Sequence, residues 1–451
     1  MLNPKRLHKD SKNPYVVKDS NILESIDTTP AKDTHNKKIE SHNPNKNTLS
    51  HTPIHHLILS YENIPAELAW EMNVPLVWGY NGIWLYNSCA GGEATETFFH
   101  HCEGIEFYTV CWKFGDYKSA YIDLYQHYLQ GKNILFSFNA WQKGAEKFAH
   151  LLDKKVPIFS VTRDYISRLK TGVNHISGTE PITDKFKNLS LNSEIIFPQI
   201  HYRGAYKMKP DIDILQTLDN FSLQWGDFGG LRLRLDWLKN ATSDIHFIPI
   251  DEISGDKAFH TFVNLSKKLH FNVPNNPKAF SGKVNRYEGL LMLPCTLRAN
   301  TKDIDKNAQE AQIEILITTH QLTPNNDHKL TDMTNFIGID TPQKNLVLYI
   351  KQEEFRILTE NKLLFDAVQS YFQRYFHALQ SYIENLKNNL FSEQDILNYL
   401  KNNPQLALAF KKQIQEDITL IKSHRSDIIE SWKYYQEFER ICKELEENDN
   451  H

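Results

Sequence analysis

Val156-Pro157-Ile158-Phe159-Ser160-Val161-Thr162-Arg163-Asp164-Tyr165-Ile166-Ser167-Arg168-Leu169-Lys170-Thr171 is the stretch whose reading decides the fold. Val156–Val161 is a short apolar run, which suits a strand buried on both faces. Asp164–Asn174 then reads as a helix. Arg163 falls at the carboxyl end of the strand, where ligands bind in sheets of alternating strands and helices. Its planar fork can hold a phosphate through two parallel hydrogen bonds. Thr171 brings a hydroxyl eight residues later, two helical turns on. Taken by themselves, these residues fit a surface turn at Arg163-Asp164 with a solvated Arg168 slightly better.

The same alternation extends outward in both directions. Upstream, Ile83–Tyr86 reads as a strand, Ala94–Cys102 as a helix, and Tyr117–Gln130 as an aromatic-rich helix stopped by Gly131. Asn133–Phe138 is a strand and Gln142–Leu152 an amphipathic helix. Downstream come a helix at Leu231–Leu238, a strand at Ile245–Ile250 and a helix at Asp256–Leu269. Short apolar strands alternating with helices imply parallel crossovers, so the expected fold class is α/β, a parallel sheet flanked by helices. Past Pro274 the pattern weakens. Leu290–Leu293, Ile313–Thr318 and Leu346–Ile350 are expected as strands of a small β-rich extension, with a polar loop at Pro324–Asp327. From Lys362 onward the chain reads as helical, with Leu363, Leu364, Val368, Tyr371, Phe372, Tyr375 and Phe376 forming a stripe. The expected organisation is a disordered leader over 1–52, an irregular lead-in over 53–79, an α/β core over 80–275, a β-rich extension over 276–352 and a helical region over 353–451.

Composition narrows the classes. The chain has 451 residues, with 51 Lys and Arg against 55 Asp and Glu. That balance supplies no overall field to hold nucleic acid or an anionic membrane, although a local basic pocket is still allowed. The leader is rich in Asn, Lys, Asp, Ser and Thr and poor in apolar residues, so burial cannot offset its ordering entropy. No apolar run is long enough to cross a bilayer and no signal peptide is evident, so a cytoplasmic location is expected. Cys89, Cys102, Cys111, Cys295 and Cys442 are odd in number and lack any C-x-x-C spacing, which argues against a disulfide framework or a zinc site.

A second chemical feature is Asn87-Ser88-Cys89-Ala90-Gly91-Gly92-Glu93, between an expected strand and an expected helix. A tight glycine turn there aims backbone N–H groups at one point, and the helix N-terminus adds about half a positive charge. Thr95 and Thr97 offer further hydroxyls. The Walker pattern is missing, since no Lys follows the glycines. Phosphate cradle and purely structural turn account for this stretch equally well.

Arg163-Asp164 through Arg168 to Thr171 resembles the R-[DN]-P-x-x-R-x-x-S signature of the P-loop-like sulfotransferase superfamily. Ile245–Ile253 and the apolar stripe Phe259, Phe262, Leu265 and Leu269 resemble that superfamily's late strand and helix, and the glycine turn falls where its 5′-phosphosulfate loop belongs. The resemblance covers about 80–275. It implies 3′-phosphoadenosine 5′-phosphosulfate as donor cofactor, with Gly91, Gly92 and Thr95 cradling the 5′ side, and Arg163 and Thr171 holding the 3′-phosphate. It implies no metal. The sequence departs from the superfamily in three places, one of them Thr171 in place of Ser, which keeps the hydroxyl. Tyr165 stands where Pro is usual, and the first loop lacks the usual Lys or Arg, leaving the catalytic group unassigned. Lys143 is a possible substitute for the cation. The whole chain is also similar to an uncharacterised bacterial family found near surface-glycan and flagellin-modification genes, in which some members carry the label sugar transferase. The Trp84–Ala90 run and Arg163-Asp164 carry that similarity.

Glu93, His100 and His175 are candidate general bases, each more simply read as ordinary structure. The pairs His55-His56 and His100-His101 do not share a helix face, which disfavours a joint metal site. Asp211-Ile212-Asp213 and Asp303-Ile304-Asp305 match a D-x-D pattern that arises by chance about once in so acidic a chain. Ser281-Gly282-Lys283 and Arg286 lie in a basic loop able to close over a nucleotide. The leading expectation is a sulfotransferase-like transferase acting on a hydroxyl of a bacterial surface glycan or glycolipid precursor. The alternatives are a glycosyltransferase using a nucleotide sugar and a metal, and a non-catalytic assembly protein whose C-terminal helices form a homo-oligomer.

Overall fold

The computed structural model describes residues 61–110, 114–127, 131–202, 208–216, 228–281, 284, 290–322 and 329–448. The first sheet has five parallel strands in the order β2-β3-β1-β4-β8: β1 is Gly82–Leu85, β2 Glu106–Tyr108, β3 Ile134–Phe138, β4 Val156–Thr162 and β8 Thr242–Pro249. All of β1 and β3 is buried, as parallel strands covered on both faces must be. On one face Ile83, Leu85, Phe136 and Ile158 meet the helices Tyr117–His127, Ala145–Leu151, Tyr165–Val173 and Leu231–Trp237. On the other, Trp84, Leu135, Phe159 and Val161 meet the helices Gly92–His100 and Lys257–Leu269. Trp84 stacks on Phe159 with centroids 5.8 Å apart and takes Phe99 edge-on at 5.5 Å. The α/β class, the parallel sheet and the helical C-terminal region are thus as the sequence indicates.

The order of strands locates a crevice. After β1 the chain moves to β2 on one side of the sheet, and after β4 it moves to β8 on the other. Connections that leave two adjacent strands in opposite directions open a gap at their carboxyl ends, the usual ligand position in such sheets. The loop after β1 and Arg163 after β4 border that gap.

Two further sheets follow. β5 (Ile176–Thr179) pairs antiparallel with β7 (Ile200–Tyr202). The larger has the order β11-β12-β10-β9-β6 and joins β6 (Asn188–Ser190), β9 (Cys295–Asn300), β10 (Gln312–Thr319), β11 (Leu330–Asp332) and β12 (Leu346–Lys351). It draws β6 from within residues 80–275, where the sequence places only the first core. Leu290–Leu293 is a buried turn rather than a strand, closed by Leu293 N–H donating to the Leu290 carbonyl at 3.1 Å. Pro294 follows and has no N–H to extend a ladder there.

The C-terminal helices divide between the two cores. The 27-residue helix Lys362–Asn388 packs on the second sheet through Leu364, Val368, Tyr371, Phe372, Tyr375 and Phe376. Leu363, read into the same stripe, faces outward at 42% exposure. The helices between Glu393 and Asn448 turn back to the first core, where Ile396, Leu400, Phe410, Ile414 and Phe438 join the cluster that holds Leu169 and Leu235. Among the described residues no helix is long and apolar enough to cross a membrane. Cys89, Cys102, Cys295 and Cys442 are free thiols, while Cys111 and the expected leader lie outside the described residues.

Candidate functional site

The loop between β1 and the Gly92–His100 helix turns at Cys89 and Gly91, both with positive φ, at 59° and 86°. Gly91 tolerates that conformation and Cys89 does not do so readily, so the surroundings must hold it there. Three arginines do. Arg163 Nη1 donates to the Cys89 carbonyl at 2.9 Å, and Arg168 Nε donates to the Ser88 carbonyl at 2.9 Å. Arg234 Nη1 donates to the Tyr86 carbonyl at 2.8 Å and its Nη2 to Asn87 Oδ1 at 2.7 Å. Asn87 Nδ2 in turn donates to Ser160 Oγ at 2.9 Å and the Val161 carbonyl at 2.7 Å, tying the loop to β4.

This clamp sets the polarity of the loop. In a trans peptide the N–H points opposite to the C=O. Carbonyls of Tyr86, Ser88 and Cys89 drawn onto guanidinium groups therefore turn the N–H groups of Asn87, Cys89 and Ala90 the other way. The Ala90 N–H closes the turn on the Asn87 carbonyl at 3.2 Å. The start of the Gly92–His100 helix adds the positive end of its dipole beside this turn, which suits an anion. Packing restricts both glycine positions as well. A Cβ on Gly91 would stand 2.6 Å from Ile250 Cδ1, and one on Gly92 would overlap the Tyr86 ring.

The charges beneath the loop are largely buried. Arg234 is fully buried and Arg168 nearly so, the latter between the rings of Tyr165 and Phe228 at 4.7 and 4.9 Å. Burial pulls the Arg163 guanidinium below its ordinary value, against the opposing influence of the Cys89 thiol and the Glu393 carboxylate. Asp164 points away from the loop. Its Oδ1 accepts the Ile166 N–H at 2.9 Å, and its Oδ2 accepts the Tyr434 and Tyr435 N–H groups, each at 3.0 Å. It is the N-cap of one helix and caps the Lys433–Asn448 helix too.

The structure gathers only part of the expected set. Gly91, Gly92 and Arg163 meet at the crevice. Thr95 does not face it: its side chain is fully buried and donates to the Gly91 carbonyl at 3.0 Å, one turn back. Thr171 lies two turns into its helix, roughly 10 Å along the axis from Arg163, and donates to the Ser167 carbonyl at 3.0 Å. Lys143 is exposed on the turn after β3, at the same edge of the sheet. Glu93 is exposed in the first turn of the Gly92–His100 helix, where its charge favours the helix and disfavours an anion. His100 sits at the far end of that helix, about 12 Å from its start. It borders a separate cavity of about 520 Å³ with Glu96, Cys102, Glu106 and Thr109. His175 lies beyond the C-terminal end of the Tyr165–Val173 helix, also away from the crevice.

Aspartates of both D-x-D stretches accept hydrogen bonds. Asp211 accepts the Asp213 N–H at 3.2 Å, Asp213 accepts the Tyr399 hydroxyl at 3.0 Å, and Asp305 accepts the Asn307 N–H at 2.8 Å. Among the described residues no group of three or more His, Cys, Asp or Glu is placed to hold a metal. Gly282, Lys283, Arg286, His55 and His56 lie outside the described residues. What the sequence does not reveal is the role of Arg234 and Asn87. The available signal is Leu231-Arg232-Leu233-Arg234-Leu235, where Arg234 falls on the apolar side of a helix.

A family model described as a protein of unknown function (DUF2972) matches residues 247–445. The match starts in β8 and takes in the second sheet from β9 onward and the C-terminal helices, so it includes Tyr434 and Tyr435 but not the loop after β1 or Arg163. No curated protein and no solved structure matches the chain.

Proposed function

We propose that the protein is a sulfotransferase-like transferase whose nucleotide donor lies across the carboxyl ends of β4 and β1. The 5′ phosphosulfate end rests on the loop at Gly91-Gly92, and the 3′-phosphate lies on the Arg163 side. The observation that carries this reading is the Arg163–Cys89 contact, which ties the end of β4 to the loop after β1 across the crevice. Five parallel strands with a glycine turn after the central one also support it. Thr95 and Thr171 have no part in the donor site; its donors are the loop N–H groups and Arg163.

The reaction is in-line transfer of the sulfuryl group to a hydroxyl of a surface glycan or glycolipid precursor. The S–O bond to the 5′-phosphate breaks, its electron pair leaves with adenosine 3′,5′-bisphosphate, and sulfur bonds to the acceptor oxygen as that oxygen passes its proton to water. Charge on the transferring group is met by the loop N–H groups and by Lys143 on the neighbouring turn. Calorimetric titration with adenosine 3′,5′-bisphosphate tests the reading, in parallel with UDP, CDP and GDP plus manganese. Micromolar binding of the bisphosphate, lost in Arg163→Ala, is expected. Uptake of a nucleoside diphosphate instead would transfer the case to a nucleotide-sugar glycosyltransferase.

A further inference from the structure

Trp141 stands on the turn after β3 with 38% of its surface exposed. The turn beneath it is buried and closed by hydrogen bonds. Tyr117 Oη donates to the Asn139 carbonyl at 3.0 Å and accepts the Asn139 N–H at 2.8 Å. Asn139 Nδ2 donates to Gln142 Oε1 at 3.2 Å, and its Oδ1 accepts the Gln142 N–H at 3.3 Å. Tyr117 is itself wedged against Phe138 and Phe148, at 5.3 and 4.9 Å. Asn139, Ala140 and Gln142 are all buried. The chain therefore leaves over a third of a large ring exposed above a buried, hydrogen-bonded turn.

Its position in the strand order gives it a use. β4, β1 and β3 lie side by side, about 4.8 Å apart at each step. Arg163 ends β4, the glycine loop follows β1, and Trp141 follows β3. A donor running from Arg163 to the loop presents its transferring group toward β3, so an acceptor attacking in line arrives over Trp141 and Lys143. A partly exposed indole suits a pyranose. One C–H face of the sugar covers the indole while its hydroxyl rim remains in water.

We propose that Trp141 is the platform for the acceptor ring and that this ring is a pyranose; the inference rests on the donor placement given above. The test is saturation-transfer NMR on the full chain with methyl glucopyranoside, methyl galactopyranoside and methyl N-acetylglucosaminide, each with and without adenosine 3′,5′-bisphosphate. At least one pyranoside is expected to receive saturation on the protons of one ring face. The signal should fall at least fivefold in Trp141→Ala and persist in Trp141→Phe. Equal signals in Trp141→Ala and the parent protein, or no signal from any pyranoside, would overturn the proposal. Bisphosphate binding measured on the same samples separates the two readings. If it binds and Trp141 is irrelevant, the platform alone fails. If it does not bind while a pyranoside signal depends on Trp141, the platform stands and the donor assignment fails.

Discussion

Asp164 and Tyr435 are 271 positions apart, yet the Tyr435 N–H donates to Asp164 Oδ2 at 3.0 Å. The same carboxylate caps its own helix through Ile166. One side chain next to Arg163 thus fixes the start of two helices, one in the first core and one in the C-terminal region. An ordinary cap contributes about 1 kcal/mol. Asp164→Ala is therefore expected to cost about 2–4 kcal/mol, allowing for the buried N–H groups it leaves. Urea unfolding measures this, and a loss under about 0.5 kcal/mol would show that the double cap is unimportant.

Arg234 is fully buried, with Tyr86, Asn87 and Gly230 as its acceptors. Arg234→Met keeps the bulk and removes every donor. Stranding those acceptors should destabilise the fold by about 3–5 kcal/mol. The variant should also release the strained turn at Cys89 and weaken bisphosphate binding by more than its stability loss explains. Unchanged affinity in a folded variant would mean that the loop holds its shape without the clamp.

Gly91→Ala and Gly92→Ala probe the glycine turn by different routes. At Gly91 the added methyl meets both a φ of 86° and Ile250 Cδ1 at 2.6 Å. At Gly92 the obstacle is the Tyr86 ring alone, which can shift. Costs of roughly 2–4 and 1–3 kcal/mol are expected, in that order. The reverse order in thermal unfolding would place the constraint at the second glycine.

Glu393 is drawn two ways. Burial pushes its carboxyl up, but the Lys170 ammonium at 2.8 Å and the Ser167 hydroxyl at 3.0 Å bring it to a net value below the ordinary one. A carboxyl with a lowered folded-state value binds its proton less readily than in the unfolded chain. Its contribution is present above the ordinary Glu value near 4.5 and is lost as pH falls through the folded value. Melting temperatures of the parent protein and Glu393→Gln should differ at pH 7 and converge as the pH is lowered through the folded value. A gap that stays constant with pH would remove the ion pair as its cause.

Deleting residues 392–451 tests how far the two regions are separate. Those helices bury Ile396, Leu400, Phe410, Ile414 and Phe438 against the first core. The shortened chain is expected to lose cooperative unfolding and to bind a hydrophobic dye. A sharp calorimetric transition in the shortened chain would show that the α/β core stands alone.

How much of this was legible depends on the range of the interaction. β3, β4 and the helices beside them follow from runs of apolar residues and their spacing, which burial on two faces enforces locally. Helix starts were less legible. The helix expected from Gln142 begins at Ala145, since the Gln142 side chain and N–H serve the Asn139 turn. Thr95 and Thr171 showed hydroxyls in useful places along the chain, but each donates one turn back along its helix, a choice that residue type does not reveal. Arg168 reads as solvated from its neighbours and is instead buried between two rings, one of them Phe228 from a distant segment.

The sequence by itself determined the α/β class, the parallel sheet, the glycine turn after β1 and the position of Arg163 at a strand end. Each depends on hydrophobic periodicity or on residues a few positions apart. Tertiary structure alone decided that three arginines clamp one loop, that β6 leaves the first core for the second sheet, and that Asp164 caps a helix near the C-terminus. Those contacts join segments as much as 271 residues apart. Their partners are chosen by the packing of whole elements, where a buried guanidinium or carboxylate must find whatever hydrogen-bonding groups the fold brings to it.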